Sequence, residues 1–126
     1  MSKVFIIDDD PIHQRIAQIM IVKHMIFDEH SSFMEAGKAL EYLENNQKNE
    51  EDLPDVILLD LNMPGMDGWD FLDKYENLKD GIIKEVKIYI VSSSVDEKDK
   101  LRAEAYSTVK GFISKPLTPQ ILRSTL

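Results

Sequence analysis

The chain has 126 residues, of which 23 are acidic and 15 are basic, so its formal net charge is −8. This length fits one domain, and we expect a single domain over residues 1–126. The acidic charge opposes binding to nucleic acid or to an anionic membrane. The chain contains no cysteine, which excludes disulfides and thiolate chemistry. Because the chain also shows no signal peptide and no apolar run near the roughly 18 residues of a membrane span, we expect a cytoplasmic protein.

The first part of the chain alternates between strand and helix patterns. A short apolar run, Val4–Ile7, is stopped by acids and predicts a buried strand. Pro11 suits a first helical position, and the helix is predicted to end at residues 23–25, with an apolar stripe of Ile12, Ile16, Ile19 and Met20. Residues 26–33 give a weaker strand signal. The next helix, residues 34–45, carries the stripe Ala36, Ala39, Leu40 and Leu43.

The middle of the chain repeats this alternation. The apolar run Val56–Leu59 ends at Asp60 and predicts a third strand. The loop NMPGMDG follows, with two glycines and a proline. Trp69 and Leu72 then lie on one face of a helix that is predicted to reach about Lys79.

The last part of the chain gives two more strands. Residues 86–91 predict a fourth strand and residues 111–113 a short fifth strand. Ser94 resembles the first residue of a capping box, so a helix is predicted from there to Tyr106. Thr118 is predicted to cap a final helix that runs to the end of the chain.

Strands that alternate with helices five times indicate a parallel sheet covered on both faces, because parallel neighbours need crossover connections. The predicted fold class is therefore a doubly wound five-stranded α/β sheet. Of the doubly wound strand orders, 2-1-3-4-5 suits five strands, and its ligand crevice lies at the carboxyl ends of strands 1 and 3.

Carboxylates follow both strands at that crevice. Asp8, Asp9 and Asp10 come after the first strand, and Asp60 ends the third. Two carboxylates about 4 Å apart repel by roughly 4 kcal/mol at an effective dielectric constant near 20, and a cation offsets that repulsion. The hard ion Mg²⁺ takes one or two carboxylates and leaves positions for phosphate oxygens. The sequence therefore predicts a divalent metal site that also accepts a phosphoryl group.

The ends of the last two strands add a hydroxyl and an ammonium. The fourth strand runs into Ser92, and the fifth runs into Lys115. An aspartate is a competent nucleophile for phosphoryl transfer, and the metal, the lysine and the hydroxyl neutralise charge on the phosphoryl oxygens. Asp60 is the predicted nucleophile because it stands singly, whereas Asp8 and Asp9 are adjacent and suit the metal.

Four motifs, FIIDDDP, VILLDLNMPGMDG, IVSSS and FISKP, stand in this order and each follows a predicted strand. Together they resemble the response-regulator receiver domain, the CheY-like family of two-component signalling, over nearly the whole chain. The resemblance implies a flavodoxin-like fold. CheY-like proteins are themselves a known example of the 2-1-3-4-5 order, so that order is an expectation shared with the resemblance and not independent of it.

The resemblance also implies a role for each site residue. Asp60 would be the phospho-acceptor, and Asp8, Asp9, Asp60 and the carbonyl of Asn62 would hold Mg²⁺. Ser92 would be the switch hydroxyl, Phe112 the aromatic switch and Lys115 the partner of the phosphoryl oxygens, with a bond to Pro116 that is commonly cis in the family.

The implied partners are a histidine kinase or phosphotransfer protein and a downstream protein target. The domain would be a monomer or a phosphorylation-dependent homodimer. It would not be an enzyme beyond its own phosphorylation and dephosphorylation.

Two other functions fit part of the pattern. A phosphatase of the haloacid dehalogenase kind uses the same groups, but Asn62 stands where that family needs a second aspartate. An adaptor that works without phosphate is opposed by the complete set of reactive groups. The three histidines, His13, His24 and His30, show no metal-ligand spacing and are given no site role.

Overall fold

Five strands and five α-helices alternate along the chain in the computed structural model, which describes residues 2–94 and 96–126. The strands are β1 (Lys3–Ile7), β2 (Glu29–Phe33), β3 (Val56–Asp60), β4 (Lys87–Ser92) and β5 (Val109–Ser114). The helices are α1 (Pro11–Lys23), α2 (Ala36–Asn45), α3 (Gly68–Leu78), α4 (Glu97–Ala103) and α5 (Pro119–Ser124), and a 3-10 turn over Lys79–Gly81 follows α3.

The five strands form one parallel sheet in the order β2-β1-β3-β4-β5. The predicted fold class and strand order are confirmed. β1 lies between β2 and β3, and Ile7 pairs in register with Phe33 and Leu59. The register aligns the carboxyl ends of β1 and β3, so the residues that follow Ile7 lie beside Asp60, at the end of β3.

The core has two parts, one on each face of the sheet, because successive strand residues point to opposite faces. In β1, Phe5 and Ile7 pack into one cluster with α2 and α3, whereas Val4 and Ile6 pack into the other with α1 and α5. All five residues of β3 are buried, as expected for a central strand covered on both sides. The sheet is therefore held by helices on both faces.

Helix α1 packs through a face that the sequence did not predict. Its buried residues are Gln14, Ala17 and Ile21. Three of the four residues of the predicted stripe face outward: Ile12 is 68%, Ile16 41% and Ile19 48% exposed. The fourth, Met20, is partly buried against the core. This helix is apolar on two sides, so apolar periodicity alone did not identify the side that faces the sheet. Among the described residues, no helix is both long enough and apolar enough to span a bilayer.

Helices α4 and α5 each begin directly after a capping residue, and one of the two predicted caps is wrong. The stripe predicted for α2 is its buried face, and Thr118 caps α5 as predicted by accepting from the N–H of Ile121. Helix α4, however, is capped by Asp96 and not by Ser94, and it ends at Ala103, before Tyr106. Asp96 directly precedes the helix, so its carboxylate reaches the first free N–H groups.

Gly68 fixes the contact between α3 and the end of β3. Its N–H donates to the carbonyl of Leu61 at 3.1 Å, which closes the intervening loop. A Cβ at this position would lie 2.8 Å from the Cα of Leu61 and 2.9 Å from the carbonyl oxygen of Asp60. Both neighbours are backbone atoms, so α3 approaches the third strand this closely only with glycine at this position.

The change Gly68→Ala is expected to lower the free energy of unfolding by about 1 to 3 kcal/mol, because backbone must shift to admit the methyl group. Gly37, in α2, is the matched control, since no atom lies within 4 Å of its added Cβ. Gly37→Ala should raise stability by up to about 1 kcal/mol. Urea denaturation of the two variants measures both effects, and equal stabilities would contradict the close approach at Gly68.

Candidate functional site

Three carboxylates meet at the carboxyl edge of the sheet. Asp8 and Asp9 follow β1, and Asp60 ends β3; one oxygen from each lies within 4.8 Å of the others. Asp8 and Asp60 are each only 6% exposed. The structure thus brings together the three acids that the sequence proposed for the metal site. Their oxygens are hard ligands of the kind that Mg²⁺ prefers, and their mutual repulsion favours a cation between them.

Asp60 lies in surroundings that disfavour its charge. Burial raises the pKa of Asp60 to about 6, and the negative charge of Asp8 adds to the rise. Two groups oppose this shift: the N–H of Asn62, which donates to Asp60 Oδ1 at 3.2 Å, and the ammonium of Lys115. The carboxyl group is therefore ionised at neutral pH but is less stable as an anion than an exposed aspartate.

Lys115 reaches the acids from the end of β5, which lies two strands from β3 in the sheet. It follows β5, and its Nζ lies 3.2 Å from Asp8 Oδ2 and 3.9 Å from Asp60 Oδ2. Its backbone N–H donates to the carbonyl of Ser92 at 2.9 Å, and its bond to Pro116 is cis, as the resemblance implied. The ammonium thus pairs directly with Asp8 and is beyond hydrogen-bond distance of Asp60.

The other three predicted site residues lie in or after the strands that end at this edge. Ser92 is buried at the end of β4, and its hydroxyl donates to the carbonyl of Ser94 at 2.9 Å. Phe112 is partly buried in β5 and packs against the larger core cluster. Asn62 is exposed in the loop after β3. The roles of Ser92 and Phe112 as switches, and of the Asn62 carbonyl as a ligand, stay predictions.

Two site residues were missed by the sequence reasoning, and both lie in α1. The buried amide of Gln14 approaches the carbonyls of Ile6, Asp8 and Phe33 at 3.0 to 3.1 Å, and so ties the helix to the ends of β1 and β2. His13, which the sequence gave no role, lies 2.9 Å from Lys115 Nζ through its Nδ1. The partners of Gln14 are backbone carbonyls, and Lys115 is far from His13 in the chain, so residue spacing carried no signal for these contacts.

Comparison with known proteins identifies the family. A sequence model of the response regulator receiver domain matches residues 4–126. The chain belongs to this family. A receiver domain of two-component signalling thus accounts for the fold and for the motifs at the carboxyl edge.

Individual relatives agree with this assignment. The receiver domain is 27% identical to the two-component response regulator ORR1 of Oryza sativa subsp. japonica, over 93% of this chain and 50% of that protein. It therefore spans half the length of that relative. It is 27% identical to the chemotaxis protein CheY1 of Helicobacter pylori, over 98% of this chain and 93% of that protein. A crystal structure of a two-component response regulator from Cytophaga hutchinsonii matches with a TM-score of 0.84 and 29% identity, covering 99% of this chain and 93% of that one.

The raised pKa of Asp60 predicts a dependence of stability on pH. In the unfolded chain this group ionises near 3.8, and in the folded receiver domain near 6. Between these values the folded state binds the extra proton, so stability falls as the pH rises through this range. The change Asp60→Asn removes the buried charge and should raise the free energy of unfolding at pH 7 by about 1 to 3 kcal/mol.

Urea denaturation at pH 7 and at pH 4 measures this effect. The gain from Asp60→Asn should nearly vanish at pH 4, where the wild-type carboxyl is protonated in the folded state. Asp80→Asn, at an exposed position, is the control and should change little at either pH. A gain of the same size at both pH values would contradict the electrostatic explanation.

Proposed function

We propose that this receiver domain accepts a phosphoryl group on the carboxylate of Asp60 and signals by protein contact. The proposal rests on one observation, the meeting of Asp8, Asp9 and Asp60 with the ammonium of Lys115 at one edge of the sheet. A carboxylate nucleophile, a site for a hard cation and a nearby ammonium are the groups on which phosphoryl transfer to a side chain depends.

In the proposed transfer, a carboxylate oxygen of Asp60 forms a bond to phosphorus while the P–N bond of a donor phosphohistidine breaks. The electron pair of that bond stays on the imidazole nitrogen, and an acyl phosphate forms on the receiver. In the later discharge, the oxygen of a water molecule attacks phosphorus and the carboxylate leaves with the electron pair of the P–O bond. The proton released by the water passes to the phosphate or to solvent, and Asp60 is regenerated.

Mg²⁺ is the proposed cofactor, and Asp8, Asp9, Asp60 and the backbone carbonyl of Asn62 would hold it. When bound, it supplies positive charge that offsets the carboxylate repulsion and the negative charge of the phosphoryl oxygens. The fit is supported by the three carboxylate oxygens that already lie within 4.8 Å of one another.

Two side chains would change hydrogen-bond partners when Asp60 is phosphorylated. The Ser92 hydroxyl now donates to the carbonyl of Ser94, and the Lys115 ammonium now pairs with Asp8. A phosphoryl group offers both of them charged acceptor oxygens, and bonds to a charged acceptor are the stronger kind. We propose that Ser92 and Lys115 turn toward these oxygens and that Phe112 repacks with the movement of Ser92.

The energy of this exchange sets how completely the domain switches. Phosphorylation adds about −1.5 to −2 charges, and a shift from 1:99 to 99:1 requires about 5.5 kcal/mol of preference for the active state. A few charge-assisted hydrogen bonds supply energy of that order. The surface of α4, β5 and α5, which includes the strand of Phe112, is the proposed region that carries the change to a partner.

The proposed phosphoryl donor is a histidine kinase or a phosphotransfer protein, and the proposed recipient of the signal is another protein. Nucleic acid and membranes are not proposed as partners, because the net charge of −8 opposes both. We propose a cytoplasmic domain that is a monomer or a phosphorylation-dependent homodimer. We also propose that it turns over no external phosphomonoester, since Asn62 replaces the acid that a phosphatase of the haloacid dehalogenase kind would need.

Incubation with acetyl phosphate and Mg²⁺ tests the acceptor role. Intact-mass spectrometry should show one added phosphoryl group on the wild type and none on Asp60→Asn, because the amide is not a nucleophile under these conditions. Asp80→Asn is the control and should be modified like the wild type. An unmodified wild type would count against the proposal, and steady turnover of p-nitrophenyl phosphate would favour the phosphatase alternative.

Calorimetric titration with Mg²⁺ tests the metal site. Asp9→Asn should weaken Mg²⁺ binding about tenfold or more, because it removes one charged ligand. Asp10→Asn is a matched control, since Asp10 caps α1 by accepting from the N–H of Ile12 and asparagine caps equally well. Equal weakening by both changes would show that only the general negative charge of this loop matters.

A further inference from the structure

His13 lies against the ammonium that the proposed function assigns to the phosphoryl group. Its Nδ1 is 2.9 Å from Lys115 Nζ, 3.3 Å from Asp10 Oδ2 and 3.7 Å from Asp8 Oδ2. The His13 side chain is 41% exposed, whereas the Lys115 side chain is only 13% exposed. The imidazole thus lies at the rim of the site, between α1 and the end of β5.

The chemistry of the pair fixes which group donates. A lysine ammonium has three N–H donors and no acceptor, so at 2.9 Å the lone pair of His13 Nδ1 accepts the hydrogen bond. A second N–H of the ammonium is directed at Asp8 Oδ2, at 3.2 Å. Asp60 Oδ2, at 3.9 Å, is too distant for a hydrogen bond. Lys115 is therefore held by His13 of α1 and by Asp8, which follows β1, and not by the proposed acceptor.

We propose that His13 is a positioning residue for Lys115. In the unphosphorylated domain it holds the ammonium on the α1 side of the site, so that Lys115 must give up this hydrogen bond before it pairs with a phosphoryl oxygen on Asp60. His13 thereby opposes the phosphorylated conformation. This inference rests on the proposed function. It adds a residue that controls how favourable the phosphorylated conformation is.

The contribution of His13 is distinct from that of Asp8. The carboxylate of Asp8 belongs to the acidic cluster and attracts any cation bound there as well as Lys115. The Nδ1 lone pair of His13 does not belong to that cluster, so it stays available to Lys115 whatever the cluster holds. An acceptor that lies outside the acidic cluster is suited to set the position of the lysine without changing the metal ligands.

Beryllofluoride, a non-covalent mimic of the phosphoryl group, is the probe for this proposal. With saturating Mg²⁺, His13→Leu should bind beryllofluoride about tenfold more tightly than the wild type. The reason is that Lys115 no longer has to give up a hydrogen bond to His13 before it pairs with the probe. His13→Asn should bind like the wild type, since its side-chain carbonyl offers an acceptor close to the position of Nδ1. Titration calorimetry measures the dissociation constants, and the Mg²⁺ affinity should be the same in all three proteins.

The same change made in a protein that lacks Lys115 separates the positioning of Lys115 by His13 from a general structural effect. In the Lys115→Met protein, His13→Leu should leave the beryllofluoride affinity unchanged, because the group that His13 holds is gone. An equal effect of His13→Leu with and without Lys115 would overturn the proposal, as would weaker binding by His13→Leu in the wild-type background. His30→Leu is the control, since His30 pairs with Val4 near the opposite end of β1.

The partly exposed position of His13 favours folding of the variants, and thermal unfolding measures whether they fold. If His13→Leu does not fold, His13→Met removes the same acceptor and gives the same comparison. Wild-type protein that binds no beryllofluoride would contradict the proposed function itself. Wild-type binding that His13→Leu and His13→Met leave unchanged would contradict only the role of His13.

Discussion

Repulsion between buried carboxylates is the constraint on which the rest of this structure depends. Asp8 and Asp60 are both nearly inaccessible and have carboxylate oxygens within 4.8 Å of each other, an arrangement that is costly because burial disfavours each charge and because the two charges repel each other. The fold imposes this contact because its strand order makes β1 and β3 neighbours in register. Lys115 offsets part of the cost from a position two strands away, which requires a long side chain directed back across β4. Stability is given up at this edge, and the edge is the site that we propose for a cation and a phosphoryl group.

The sequence alone could predict the sheet and this acidic edge. Strands such as Val56–Asp60 are continuous apolar runs that end in acids, so both their burial and the position of their last residue follow from the pattern. Once five strands alternate with five helices, few topologies remain, and of the doubly wound orders it is 2-1-3-4-5 that places strand ends 1 and 3 together. The meeting of Asp8, Asp9 and Asp60 then follows from topology, because it depends on where strands end and not on side-chain conformation.

The sequence could not predict how α1 is oriented or what its polar residues contact. Ile12, Ile16 and Ile19 form as good an apolar stripe as the face that is buried, and the choice between them depends on tertiary contacts. One of these is the Gln14 amide, which approaches three carbonyls at the ends of β1 and β2. Such bonds leave no periodic signal. His13 was missed for the same reason, since its partner Lys115 is 102 residues away in the chain.

The hydrogen bonds at the site bear on how the proposed phosphorylation of Asp60 would shift the domain. Ser92 and Lys115 already have partners in this structure, the carbonyl of Ser94 for the hydroxyl and both Asp8 and His13 for the ammonium. A switch between two satisfied arrangements costs far less than one that leaves a buried donor unpaired. The bias then comes from the difference in strength between the two sets of partners, and a neutral acceptor exchanged for a charged one makes that difference large. Two packed arrangements with a small energy gap between them are the condition under which a local charge has a distant effect.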